Sequence, residues 1–220
     1  MDKAALERRL SHVSGFRDPR VEFEQYPTPA DLAAHLVHLA DVQGDLAGRT
    51  VLDLGTGTGM LALGAAFRGP ARVVGLDRDS SALEQARENE ARIAGSDAPA
   101  SSAEIDWVLA DATRAPLCVS DSAASLAREE TTVLMNPPFG AQTGNEHADR
   151  AFLATASEIA GVSYSIHNAG SQDFVEAFAD DEEGAVTHAF RAELDLPRRF
   201  DHQTSERETI DAEVFRIRWE

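Results

Sequence analysis

Lysine is almost missing from this chain: Lys3 is the only one among 20 basic residues, and the other 19 are arginine. Those 20 stand against 38 acidic residues, for a formal charge of −18. Such a surface repels other polyanions at low ionic strength. At molar salt the Debye length falls to about 3 Å, and distant carboxylates no longer feel one another. Acidic excess with scarce lysine therefore predicts adaptation to high salt inside the cell. There, counterion release adds little to nucleic-acid binding, and recognition must rest on shape, stacking and hydrogen bonds. Cysteine is as scarce. Cys118 stands alone, which excludes an intrachain disulfide and a cysteine-rich zinc site. The seven histidines are scattered. His35 and His38 lie three apart on an expected helix with no third ligand, so no metal is expected. No run is apolar for the length of a bilayer and no leader pattern opens the chain, so a cytoplasmic location without membrane contact is expected.

What is present reads as one α/β domain over residues 1–220. Residues 1–40 open it as a helical segment, with Leu6 and Leu10 on one face. Glu24-Gln25-Tyr26-Pro27-Thr28-Pro29 follows as an extended or turning stretch, because proline biases both itself and its predecessor away from helix. Residues 31–39 then place Leu32, Leu36 and Leu39 on one helical face. Residues 49–54 read as a strand, Gly55-Thr56-Gly57-Thr58-Gly59 as a tight turn, and residues 60–67 as a helix. Glycines there permit close backbone approach to a ligand. No lysine follows the last glycine, which argues against a phosphate-binding P-loop. The strand Arg72–Asp77 ends in an acid 18 positions past Gly59, near the spacing at which a carboxylate meets ribose hydroxyls. Asp79-Ser80-Ser81 can cap a helix over 82–94. The strand Ile105–Leu109 leads to Asp111, which can accept from an adenine amino group or cap a turn.

The chain is organised around Asn136-Pro137-Pro138-Phe139. It follows a β-branched run at 131–135, and two prolines cannot continue a ladder. An amide, two rigid residues and a ring thus sit at a strand's carboxyl end, where open α/β sheets bind ligands. Asn136 and the Pro137 carbonyl offer acceptors and Phe139 a stacking face, which suits a flat group bearing an amine. Farther on come a strand over 161–167, a helix over 171–178 and two alternating runs at 186–196 and 211–219. The runs read as an antiparallel pair joined by a charged loop, residues 197–209, holding Arg198, Arg199, His202 and Arg207.

Together these stretches resemble the class I S-adenosylmethionine (SAM) dependent methyltransferases, and the Asn-Pro-Pro-aromatic stretch resembles their amino-methylating branch. Adenine-N6 enzymes and glutamine-N5 enzymes of release factors share it; the latter usually end it in tyrosine. Glu24 to Thr28, Asn136 to Gly140, Tyr164-Ser165-Ile166-His167 and Asp195-Leu196-Pro197 resemble the archaeal and eukaryotic small-subunit ribosomal RNA adenine-N6 methyltransferases, the family of methyltransferase-like protein five. The resemblance implies a Rossmann-like, seven-stranded, mostly parallel sheet with an antiparallel C-terminal pair and helices on both faces. It implies SAM as cofactor, with Gln25, Tyr26 and Thr28 closing over its methionine end as a lid. Gly55, Gly57, Thr58 and Met60 would line it, Asp53 would order the turn or meet its amino group, Asp77 would take its ribose and Asp111 its adenine. Asn136, Pro137, Pro138 and Phe139 would hold the target base. It further implies a small zinc-binding activator protein on a sheet edge at Ile105–Leu109. Alternatives are a glutamine methyltransferase and a catalytically idle assembly module.

Overall fold

The computed structural model describes residues 1–94, 102–117, 127–138, 148–197 and 207–220, without the side chains of 193–197 and 207–210. Phe139, Cys118, Arg198, Arg199 and His202 lie outside the described residues. Seven strands form one sheet: β1 (Thr50–Leu54), β2 (Arg72–Asp77), β3 (Ile105–Leu109), β4 (Thr131–Met135), β5 (Val162–Asn168), β6 (Gly184–Pro197) and β7 (Arg207–Trp219). Their spatial order is β3-β2-β1-β4-β5-β7-β6. The first five run parallel, and β7 lies antiparallel between β5 and β6. This is the doubly wound sheet that the sequence implied. One detail differs: residues 207–209 belong to β7 rather than to a loop, because the ladder with β6 continues to the pair Pro197 and Arg207.

Helices cover both faces. α1 (Lys3–Leu10), α2 (Ala30–Val42), α3 (Met60–Ala66) and α4 (Ser80–Ile93) lie on one side. α5 (Ala148–Ile159) and α6 (Gln172–Asp181) lie on the other. Strand alternation divides the core accordingly. Val51, Val73, Leu134 and Tyr164 face α1 to α3, whereas Leu52, Val74, Val133 and Met135 face α5 and α6. β4 is buried at all five positions, as a parallel strand covered on both faces should be. Leu6, Leu10 and Leu36 are fully buried, and each contributes roughly 1.5–3 kcal/mol of transfer free energy.

β3 is one edge of the sheet. Trp107 points inward from it. A Cβ on Gly75 or on Gly59 would come within 2.6 or 2.8 Å of the indole, so both positions must be glycine for this ring to seat. Its Nε1 donates to Glu90 at 2.7 Å. Leu109 at the end of the same strand is 62% exposed. The order of strands reverses between β1 and β4, and the crevice at their carboxyl ends is where the fold opens to a ligand.

Candidate active site

The turn after β1 is built over a buried carboxylate. Asp53 is 1% exposed, and its Oδ2 accepts from the Thr56 hydroxyl at 2.7 Å and the Ala62 amide at 2.9 Å. Burial pushes its pKa up to about 7, against the pull of those two hydrogen bonds, with the nearby Asp77 charge adding to the rise. Asp53 does not line the cavity above it. Its two hydrogen bonds tie Thr56 of the turn to Ala62 of α3.

Gly57 adopts φ +54°, and its amide donates to Asp77 Oδ2 at 2.8 Å. A Cβ there would also come within 2.9 Å of the Phe16 ring. Asp77, at the end of β2, takes a second amide from Asp79 at 2.8 Å through Oδ1. Burial raises its pKa, although both amides pull the other way. Asp79 caps α4 by accepting from the Ser81 amide and hydroxyl.

The stretch before α2 folds back over this loop. Gln25 donates to Asp79 Oδ2 at 2.7 Å, and its Oε1 accepts from the Arg20 amide at 2.8 Å. Burial would raise the Asp79 pKa, but hydrogen bonds from Gln25 and Ser81 and the Arg20 charge outweigh it, and the net shift is downward. Phe23, in the single helical turn Val21–Phe23, lies under the Arg78 guanidinium at 4.1 Å. Gln25, Tyr26 and Thr28 all reach the cavity wall.

Asp111 reaches the wall too, and it caps the turn Ala112–Arg114. Its Oδ1 accepts from the Thr113 amide at 2.9 Å and hydroxyl at 2.8 Å. Burial would raise its pKa, but the Thr113 hydrogen bonds and the charges of Arg78 and Arg114 lower it.

Asn136 also lines the cavity. Its Nδ2 donates to the Thr28 hydroxyl at 3.0 Å. Its Oδ1 is buried and has no hydrogen-bond partner among the described residues. An unpaired buried acceptor costs about 1–3 kcal/mol, so the position invites a donor from a ligand. Pro138 lines the cavity; Pro137 is buried behind it.

The enclosed volume is about 320 Å³, the size of a small-molecule site. Gly55, Gly57, Thr58, Met60 and Asp77 share its wall with Asn136. Sequence reasoning missed Phe16, Phe23, Arg78 and Phe152, which also line it. Their only signal was aromatic or basic character near the expected lid and turn. His35 stacks on Phe190 with ring centroids 4.5 Å apart.

The whole chain has relatives. The zebrafish rRNA N6-adenosine-methyltransferase METTL5 is 32% identical, with 97% of this chain and 96% of the relative aligned. The Drosophila melanogaster Mettl5 enzyme is also 32% identical, over 96% and 95%. The chain belongs to the METTL5 family. It is a SAM-dependent methyltransferase. PH1948 of Pyrococcus horikoshii, a proposed RNA methyltransferase, is similar in structure with a TM-score of 0.83 and 33% identity, covering 100% of this chain and 98% of that one. The profile of the ribosomal protein L11 methyltransferase family matches residues 35–115. That segment carries the glycine turn, Asp77 and Asp111 and ends before Asn136. The wall fits a METTL5-family cofactor. Glycine backbone faces the cavity where a Cβ would strike Phe16, and the carboxylate of Asp77 stands beside it. Among the described residues no helix is long and apolar enough to cross a membrane.

Proposed function

We propose that the protein transfers a methyl group from SAM to the N6 amino group of an adenosine in small-subunit ribosomal RNA. The observation that carries this reading is the buried Oδ1 of Asn136, a residue of the cavity wall, which has no hydrogen-bond partner among the described residues. An exocyclic amine is the donor it lacks. The full-length relatives named as rRNA N6-adenosine-methyltransferases supply the nucleobase and the RNA class.

Gly55, Gly57, Thr58 and Met60 would hold the cofactor along the turn, Asp77 would accept from its ribose and Asp111 from its adenine. Gln25, Tyr26 and Thr28 would cover its methionine end. The bound cofactor supplies an electrophilic methyl group on a sulfonium. The adenine amine is a poor nucleophile, since its lone pair is delocalised into the ring. Asn136 Oδ1 and the Pro137 carbonyl would accept its two N–H groups and hold it in place. Those acceptors gain strength as positive charge develops on the nitrogen, so they favour the transition state over the ground state. No strong base is required, because the nitrogen becomes acidic as it is alkylated. The base must leave its stack to reach this depth, and Phe139 would take one face of it.

A zinc-binding activator protein fits the same reading. β3 is a sheet edge ending in an exposed leucine, and an unpaired edge accepts a further strand.

Asn136→Ala should lower methyl transfer by about a hundredfold or more, the scale seen when one transition-state hydrogen bond is removed. Affinity for SAM, measured by calorimetry, should stay within about twofold. Transfer of labelled methyl to a small-subunit rRNA transcript, followed by nucleoside analysis, identifies the product. Labelling of a release factor instead would convert the reading to a glutamine methyltransferase, and labelling of neither would leave an idle module.

A further inference from the structure

We infer that Thr28 is the positioning residue for Asn136, holding the plane of its amide at the cavity wall; this rests on the methyl-transfer reading above. The two residues are 108 positions apart and meet through one hydrogen bond, from Asn136 Nδ2 to Thr28 Oγ1 at 3.0 Å. Thr28 is 8% exposed and is set between Pro27 and Pro29, the latter at the start of α2. Both prolines fix φ, so the hydroxyl has a defined place before any ligand arrives. The same segment is anchored three residues earlier by Gln25, which bridges the Arg20 amide and Asp79.

The two ends of an amide are nearly the same shape and opposite in hydrogen-bonding sense. Turned over, Asn136 would present N–H groups to an incoming amine, donor against donor. A threonine hydroxyl can meet either end of an amide, so the bond fixes the amide's plane; in the orientation the structure shows, Nδ2 is on Thr28 and Oδ1 is the end left for a ligand. Without the hydroxyl no side-chain hydrogen bond among the described residues holds the amide's plane, and it is free to turn. Thr28 acts through Asn136 in this role, in addition to any contact with the cofactor.

Thr28→Val keeps the side chain's shape and removes the hydroxyl; Thr28→Ser keeps the hydroxyl. The side-chain amide resonances of Asn136 are identified in a ¹⁵N spectrum by their absence from Asn136→Ala. In Thr28→Val they should shift and exchange faster with water, and in Thr28→Ser they should return toward the wild-type position. With saturating SAM and a small-subunit rRNA transcript, Thr28→Val should lose about tenfold or more in kcat, beyond any loss of SAM affinity from its place in the lid. Thr28→Ser should recover most of the rate. Unchanged Asn136 resonances in Thr28→Val, no recovery in Thr28→Ser, or a loss confined to SAM affinity would each overturn the assignment. Full activity of Asn136→Ala would instead overturn the functional reading, a separate outcome.

Discussion

Asp53 carries a consequence that only a buried acid can have. Its carboxyl is neutral over a range in which the same group in the unfolded chain is ionised, between the ordinary 3.8 and about 7. Below that window both states hold the proton. Within it the unfolded chain releases the proton first, so Asp53 lowers stability as pH rises, by up to about 1.4 kcal/mol per pH unit, and the effect levels off above it. His167 works in the opposite sense. Burial lowers its pKa to about 4 from the ordinary 6.5, partly offset by Glu213, so its contribution is present above 6.5 and is lost as pH falls through that window. Asp53→Asn keeps an acceptor for Thr56 and Ala62 and removes the titration. Its urea midpoint should therefore gain on the wild type steadily from pH 4 to pH 7, whereas a constant offset would refute the assignment. Asn136, Asp77 and Gly57 were legible in the sequence because their chemistry is restrictive: a carboxylate ending a strand and a glycine turn have few other uses. Phe16 and Phe152 were not, since an aromatic residue in a loop or on a helix face packs in many ways. Asp53 read as ordering the turn or meeting the cofactor's amino group; its burial follows from the inward-facing pleat of β1, which the residue type does not announce.

At the level of elements, the strands were readable from β-branched runs and the late hairpin from its two alternating stretches. The position of β7 inside the hairpin was not. Glu213 and Arg216 look like surface residues but are 3% and 7% exposed. Glu213 accepts from the Ser171 amide and from Arg191. Arg216 donates to Asp45 Oδ2 at 2.8 Å, and the Tyr164 hydroxyl donates to the same oxygen at 2.6 Å. Burial and the Asp45 charge hold that phenol well above its usual range. The group ties the loop after α2 to β5 and β7. Such a pair adds little over an apolar equivalent, but removing one partner strands the other charge. Asp45→Ala should therefore cost about 3–5 kcal/mol in denaturant unfolding. A loss under about 1 kcal/mol would mean that water reaches Arg216 and screens it as it does surface pairs.

For the molecule as a whole, the charge of −18 sets the conditions under which the rest holds. Self-repulsion among 38 carboxyl side chains grows as screening is removed. Dialysis from molar salt to about 10 mM, where the Debye length reaches about 30 Å, should reduce helical circular dichroism and lower the unfolding temperature. Unchanged spectra and melting across that range would dispose of the salt adaptation. Refolding on return of salt would show that the loss is electrostatic.

The place of β7 has a consequence for biogenesis. It is last in chain order yet lies between two strands that precede it. On a translating ribosome, α1 through β5 can consolidate early, because their neighbours are already made. β6 cannot join the sheet until residues 207–219 arrive to seat between it and β5. Until then two open ladders wait side by side, each able to recruit a strand from another nascent copy. The last-made strand acts as a keystone, and nonsense or frameshift changes upstream of it should yield aggregates rather than a smaller working enzyme.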